Sequence, residues 1–295
     1  MNFKDLTQLS DEEKIKIFKD RYGHKLYFAG RKHNVVERVI TLNNNSKPNP
    51  ERLAVIEGIW AMGLAEKYNT RIKYLIICIE QIKSIESQKL VDSFVNKAEE
   101  VIVVSDRVYA LLSEKENGQG IMGVVYLDFV DYKKFEMLEK SLIVVLDGLE
   151  IPGNVGTILR SSDAVGADLV ILNNRKVRIN HPKLIRSSMG SVFKVPISES
   201  ADADELLKWL ALNGYEIILA DTDSKNKYFD LKYQNRVAIV MGSEKYGISE
   251  DFYKAPHTDV MIPMLGDMDS LNVGVAATIL LYEAGLKNKG ILNNR

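Results

Sequence analysis

The chain has 295 residues, 46% of them hydrophobic and 27% charged, which is the composition of a folded globular protein with room for two domains. Its formal net charge of −1 provides no global field for a polyanion, so any nucleic-acid contact has to rest on local patches. One cysteine, Cys78 inside the apolar run 76–79, excludes an intrachain disulfide framework and a cysteine-rich zinc site, and no apolar run is long enough to span a bilayer.

The start of the chain carries Asp11, Glu12 and Glu13 and lacks the apolar core of a signal peptide, so a cytoplasmic setting is expected. Ser10-x-x-Glu13 predicts a capping box that opens a helix carrying Ile15, Phe18 and Tyr22. Residues 21–38 gather Arg21, Lys25, Arg31, Lys32 and Arg38, with Tyr22, Tyr27 and Phe28 interleaved. That pattern reads either as a solvated surface or as a face for single-stranded nucleic acid. The Asn- and Pro-rich stretch 43–50 predicts a hinge, which leaves residues 1–48 as an N-terminal extension. Asn49 predicts an N-cap, with Pro50 at the first helical position and a helix running to about Tyr68. Strands are then expected at 72–79, 101–104 and 121–126, and helices at 87–98 and 107–115. The alternation predicts a small parallel α/β domain over 49–126. Residues 127–140 have no period and read as a linker.

Alternation resumes over 141–295. Strands are predicted near 142–147, 168–172, 192–197, 215–220, 237–241 and 259–262. Helices are predicted near 155–165, 182–189, 203–213 and 272–287, and together these elements suggest a doubly wound sheet. Between Asn173 and Lys194 the chain carries Arg175, Lys176, Arg178, Lys183, Arg186 and Lys194, with His181 and no acid, a pattern suited to a phosphate backbone.

Three strand-to-loop junctions in this half carry polar chemistry. The apolar run ending at Asp147 leads into Asn154-x-Gly156-x-x-x-Arg160. The run ending at Met241 leads into Gly242-Ser243-Glu244 with Gly247. A third run leads through Ile262-Pro263-Met264 to Ser270-Leu271-Asn272-Val273, where Ser270 or Asn272 can cap the last helix. In α/β proteins ligands gather at such junctions, and ordinary turns require neither Arg160 nor Glu244. No Gly-x-Gly-x-x-Gly follows a strand and no His/Asp/Glu cluster has metal spacing, so neither a dinucleotide fingerprint nor a metal is expected.

In order and separation these three stretches resemble the motifs of the TrmH (SpoU) family, RNA ribose 2′-O-methyltransferases of the SPOUT superfamily. Gly118-Gln119-Gly120-Ile121 resembles the end of the small substrate-binding domain that often precedes them. The resemblance implies an L30e-like N-terminal α/β domain followed by a SPOUT α/β domain with a C-terminal trefoil knot. It further implies S-adenosyl-L-methionine as cofactor and a homodimer with the C-terminal helix at its interface. On this reading Arg160 activates the ribose hydroxyl electrostatically, and Asn154, Glu244, Ser270 and Asn272 complete the catalytic set. Gly242, Ile262 and Leu271, with Met264 beside them, hold the cofactor. Arg186, Arg178 and Lys183 contact RNA, with ribosomal favoured over transfer RNA. The other readings are a non-catalytic RNA-binding protein that keeps the fold, and a nucleotide-dependent enzyme of another class, which the missing phosphate-binding patterns disfavour.

Overall fold

Ser10 opens the first helix, α1 (Asp11–Tyr22), through a capping box. Its hydroxyl accepts from the Glu13 amide, while the Glu13 carboxylate accepts from the Ser10 amide at 2.9 Å. The computed structural model describes residues 5–113, 118–136 and 138–293. It divides into two compact units, residues 1–127 and 128–295.

The first unit holds β1 (Leu26–Ala29), α2 (Asn34–Asn43), β2 (Leu53–Glu57), α3 (Gly58–Lys67) and β3 (Ile72–Ile77), then α4 (Ile85–Phe94), β4 (Glu100–Val104), α5 (Asp106–Leu112) and β5 (Ile121–Tyr126). The strands form one sheet in the order β1-β4-β3-β5-β2. The expected all-parallel arrangement does not hold, because β5 runs antiparallel to both β2 and β3. Nor does a helix start at Asn49. The Asn49 side chain accepts from the Leu53 amide and donates to the Leu53 carbonyl, imitating a strand partner, and β2 follows. Gly58, at φ 84°, then breaks the strand and lets the helix begin. The supposed extension supplies the edge strand β1 and the helix α2, whose Val35, Val36, Val39 and Leu42 lie in the core, since that apolar spacing needs cover. The end of the predicted helix 107–115 falls on residues 114–117, outside the described ones.

The second unit holds β6 (Ser141–Asp147), α6 (Pro152–Val165), β7 (Leu169–Asn173), α7 (Pro182–Ser187), β8 (Ile197–Ser200) and α8 (Ala203–Leu212). It continues with β9 (Glu216–Ala220), β10 (Arg236–Gly242), α9 (Glu250–Lys254), β11 (Thr258–Val260) and α10 (Val273–Asn288). The six strands are all parallel, in the order β11-β9-β10-β6-β7-β8. Every residue of β6 is buried, as a central parallel strand requires. Ile143 and Val145 face the side covered by Leu206 and Leu210 of α8 and Phe252 of α9. On the other side Gly285 of α10 comes against Leu142 and Val165. The strand expected at 192–197 starts only at Ile197, because Ser191–Phe193 first close a short helical turn behind Gly190. The last strand ends at Val260, short of Ile262. Met261 keeps an isolated bridge to Lys227 before the chain turns at Pro263. From β6 the chain proceeds to β7 on one side and returns as β10 on the other, so the sheet has its switch point between β6 and β10.

Candidate active site

A cavity of about 770 Å³ opens beyond the carboxyl ends of β9, β10 and β11. That is within the range of small-molecule sites, and its place is where such sheets bind ligands. The loop after β10 forms one wall. It is folded tightly on itself: the Ser243 amide donates to the Gly247 carbonyl at 2.9 Å, the Gly247 amide returns to Ser243 at 3.0 Å, and the Tyr246 amide donates to Ser243 Oγ at 2.9 Å. A side chain on Gly242 would overlap the Gly247 and Ile248 backbone, so only glycine fits there. The opposite wall is the loop between β11 and α10. Four predicted cofactor positions, Gly242, Ile262, Met264 and Leu271, all line the cavity, together with Ser270 and Asn272.

The three sequence stretches meet in one hydrogen-bonded line. Pro152 starts α6 and places Asn154 in its first turn, where it is buried. Asn154 Nδ2 donates to Glu244 Oε1 in a very short contact. Asn154 Oδ1 accepts from Asn272 Nδ2 at 3.1 Å. Asn272 Oδ1 in turn accepts from the Gly274 amide at 2.9 Å and caps α10. The capping choice between Ser270 and Asn272 thus falls to Asn272. Ser270 is exposed and makes no hydrogen bond among the described residues.

Arg160 is not brought to the cavity of its own chain. Positions 155, 158, 159 and 162 of α6 are buried, which turns Arg160 outward. It is exposed and has neither a hydrogen bond nor an ion pair among the described residues. Gly156 serves packing: a side chain there would strike Leu184 and Ser187 of α7. On α7, Lys183 and Arg186 are exposed, and Arg178 just ahead of it is half-buried. His181, read from the sequence as facing RNA, caps α7 by accepting from the Lys183 amide at 3.1 Å. The basic stretch is also less charged than it reads. Arg175 pairs with Glu199 at 2.5 Å and Lys194 pairs with Asp163, acids that other elements bring in.

Sequence reading missed two groups at this end of the sheet. Asp147, buried at the end of β6, accepts from Asn173 Nδ2 at 2.8 Å and from the Ser249 amide at 2.8 Å, tying two neighbouring strands and the folded loop together. Asp221, just past β9, lines the cavity and accepts from the Tyr253 hydroxyl at 2.6 Å. Burial, and then that carboxylate, push the Tyr253 phenol well above its ordinary range. Only a strand-end aspartate marks either position in the sequence. Among the described residues no His, Cys, Asp or Glu group is arranged for a metal, and no helix is long and apolar enough to cross a membrane.

The profile of the SpoU rRNA Methylase family matches residues 141–282. A putative TrmH family tRNA/rRNA methyltransferase of Staphylococcus haemolyticus is 30% identical over 226 residues, 72% of this chain and 88% of that protein. The 23S rRNA (uridine(2479)-2′-O)-methyltransferase of Streptomyces viridochromogenes is 28% identical over 248 residues, 82% of this chain and 86% of that one. The crystal structure of the SpoU methyltransferase AviRb from the same organism, in complex with AdoMet, matches with a TM-score of 0.78 at 25% identity, covering 90% of this chain and 100% of that one. Fold and site together define a SPOUT methyltransferase. The chain belongs to the TrmH (SpoU) family.

Proposed function

We propose that this protein transfers the methyl group of S-adenosylmethionine to a ribose 2′-hydroxyl of structured RNA, and that the RNA is ribosomal. The observation that carries the reading is the line Glu244–Asn154–Asn272 beside a cavity of about 770 Å³. The ribosomal preference rests on the Streptomyces viridochromogenes relative, which acts on 23S rRNA.

The residues present suit the cofactor. Ile262, Met264 and Leu271 give an adenine ring an apolar wall, and Gly242 keeps the loop backbone bare beside it. When bound, S-adenosylmethionine supplies an activated methyl group, which leaves placement and electrostatics to the protein. Asn154, fixed on both sides, positions the ribose, with Glu244 and Asn272 fixing Asn154. Ser270, unpaired at the cavity wall, positions the substrate or a cofactor carboxylate. Arg160 orients the hydroxyl and stabilises the developing alkoxide, while the hydroxyl's proton passes to an RNA phosphate or to water. Guanidinium holds its proton far above neutral pH and so is no base.

Arg160 lies outside its own cavity, and we assign it to the cavity of a second copy in a homodimer. An apolar stripe on α10 supports that dimer: Val275 and Tyr282, seven residues apart, are 47% and 43% exposed. Lys183, Arg186 and Arg178 contact RNA beside α6. We further infer an L30e-like first unit that binds RNA, a trefoil knot formed by the C-terminal segment, and a cytoplasmic location. Support for the knot comes from the 221–235 connection. It is bonded to β11 through Ser224 and Asn226 and to α10 through Lys287 and Asn288.

The test is to incubate the protein with S-adenosylmethionine and unmodified ribosomal or transfer RNA transcripts and map 2′-O-methylation. Methylation confined to transfer RNA would reassign the substrate. Arg160→Ala is expected to lower turnover by about 100- to 1,000-fold while calorimetry finds cofactor affinity unchanged. Equal loss of both would make Arg160 structural.

A further inference from the structure

The folded loop that carries Glu244 also presents Tyr246 to solvent. The side chain is 71% exposed, and its hydroxyl bonds to no protein group among the described residues. Lys245 Nζ lies 4.8 Å from the ring centroid and pairs with no carboxylate among them. The backbone beneath this pair is fixed on both sides, by the Ser243–Gly247 bridge and by the Tyr246 amide on Ser243 Oγ. The arrangement is therefore an exposed aromatic ring on a fixed backbone with an ammonium over it that pairs with no carboxylate among the described residues, two residues from a member of the proposed catalytic line. An exposed tyrosine contributes nothing to this core, which leaves its ring and the ammonium over it available to a ligand. A nucleotide uses both, having a flat π surface for the ring and a phosphate for the cation.

We infer that Tyr246 stacks on the base of the target nucleotide, or of its neighbour, while Lys245 takes a phosphate beside it. The inference rests on the RNA-methylating reading above and names how that site holds its substrate. A nucleotide drawn out of its stack to bring its ribose against the cavity loses a stacked neighbour, and unstacking costs free energy. A protein ring in place of the lost neighbour offsets that cost for any base, so Tyr246 sets substrate affinity without reading sequence. It is a positioning residue: Arg160 and the Asn154 line remain the groups at the reacting atoms.

The experiment uses the full chain and an unmodified large-subunit ribosomal RNA transcript as probe. Tyr246→Ala should raise KM for RNA, and weaken retention of the transcript on filters, by about 5- to 150-fold. The kcat should change far less, and titration with S-adenosylmethionine should match wild type. Tyr246→Phe keeps the ring and should stay within about twofold of wild type. Lys245→Met should lower the salt slope of RNA binding by about one. An unchanged KM and filter affinity in Tyr246→Ala would overturn the inference. So would Tyr246→Phe failing as badly as alanine, which would point to a hydroxyl contact. A shift of Tyr246→Ala from dimer to monomer in sedimentation would assign the ring to a second copy and overturn it equally. If the wild type methylates no RNA, the underlying reading fails, and the filter assay still decides for or against Tyr246.

Discussion

Gly242 leaves no room for a side chain, and Gly247 leaves room but has an unusual backbone. The two glycines of one loop therefore answer differently to the same substitution. An added Cβ at Gly242 meets backbone atoms of Gly247 and Ile248, which cannot yield without breaking the Ser243–Gly247 bonds. At Gly247 nothing lies near the added carbon, and the only cost is a φ of +70°, about 1–2 kcal/mol for any other residue. Gly242→Ala should therefore weaken S-adenosylmethionine binding by roughly tenfold or more, whereas Gly247→Ala lowers stability slightly and spares binding. Calorimetric titration beside a thermal melt separates the two outcomes. At this scale the sequence was legible where a motif made residue types explicit: Asn154, Glu244 and Asn272 do converge. It was not legible where charge balance is tertiary. The stretch 173–194 contains no acid, and nothing local announces that Glu199 and Asp163 reach its Arg175 and Lys194.

At the scale of elements, α10 is held at both ends by polar side chains. Asn272 caps its start. Near its end Lys287, buried, donates to the carbonyls of Phe229 at 2.8 Å and Leu231 at 3.0 Å and pairs with Glu283 at 2.7 Å. Asn288 donates to the carbonyls of Gln234 and Asn235, and Lys289 to those of Val165 and Gly166. A buried ammonium with three partners is costly to remove, because the acceptors stay behind. Lys287→Met should destabilise the protein by about 3–5 kcal/mol, read as a lower midpoint in urea. A loss under about 1 kcal/mol would mean that water replaces the ammonium. Helix periodicity places α10 correctly but is silent about this anchorage, since Lys287 looks like any surface lysine. Strands β6 and β10 were equally legible, being apolar runs that end at glycine or aspartate. Residues 53–67 were not. Leu53, Ile56, Trp60 and Leu64 keep a helical spacing across what is in fact a strand and then a helix. The break at Gly58 depends on a positive φ that spacing cannot reveal.

For the whole molecule the open term is how many chains make one site. The cavity, the Asn154 line and the basic α7 lie within one second unit, whereas Arg160 points outward from it. If the proposed dimer delivers Arg160 to the neighbouring cavity, two variants damaged in different parts should repair each other when assayed at S-adenosylmethionine concentrations too low to fill the Gly242→Ala cavity. Arg160→Ala retains a working cavity, and Gly242→Ala retains a working arginine. Co-expressed, they assort at random, so half of the dimers are mixed. Each mixed dimer holds one site with both parts intact and one with both parts damaged. About a quarter of wild-type methylation should then return in the co-expressed population, and about half per dimer once the mixed dimer is purified, while each variant alone stays near background. An arginine that serves its own chain predicts the opposite, because every site in a mixed dimer would lack one part. The measurement is methyl incorporation into ribosomal RNA by the purified mixed dimer, isolated with two different tags. Activity at background there would place Arg160 in the cavity of its own chain, and the outward orientation seen on α6 would then have to change when RNA binds.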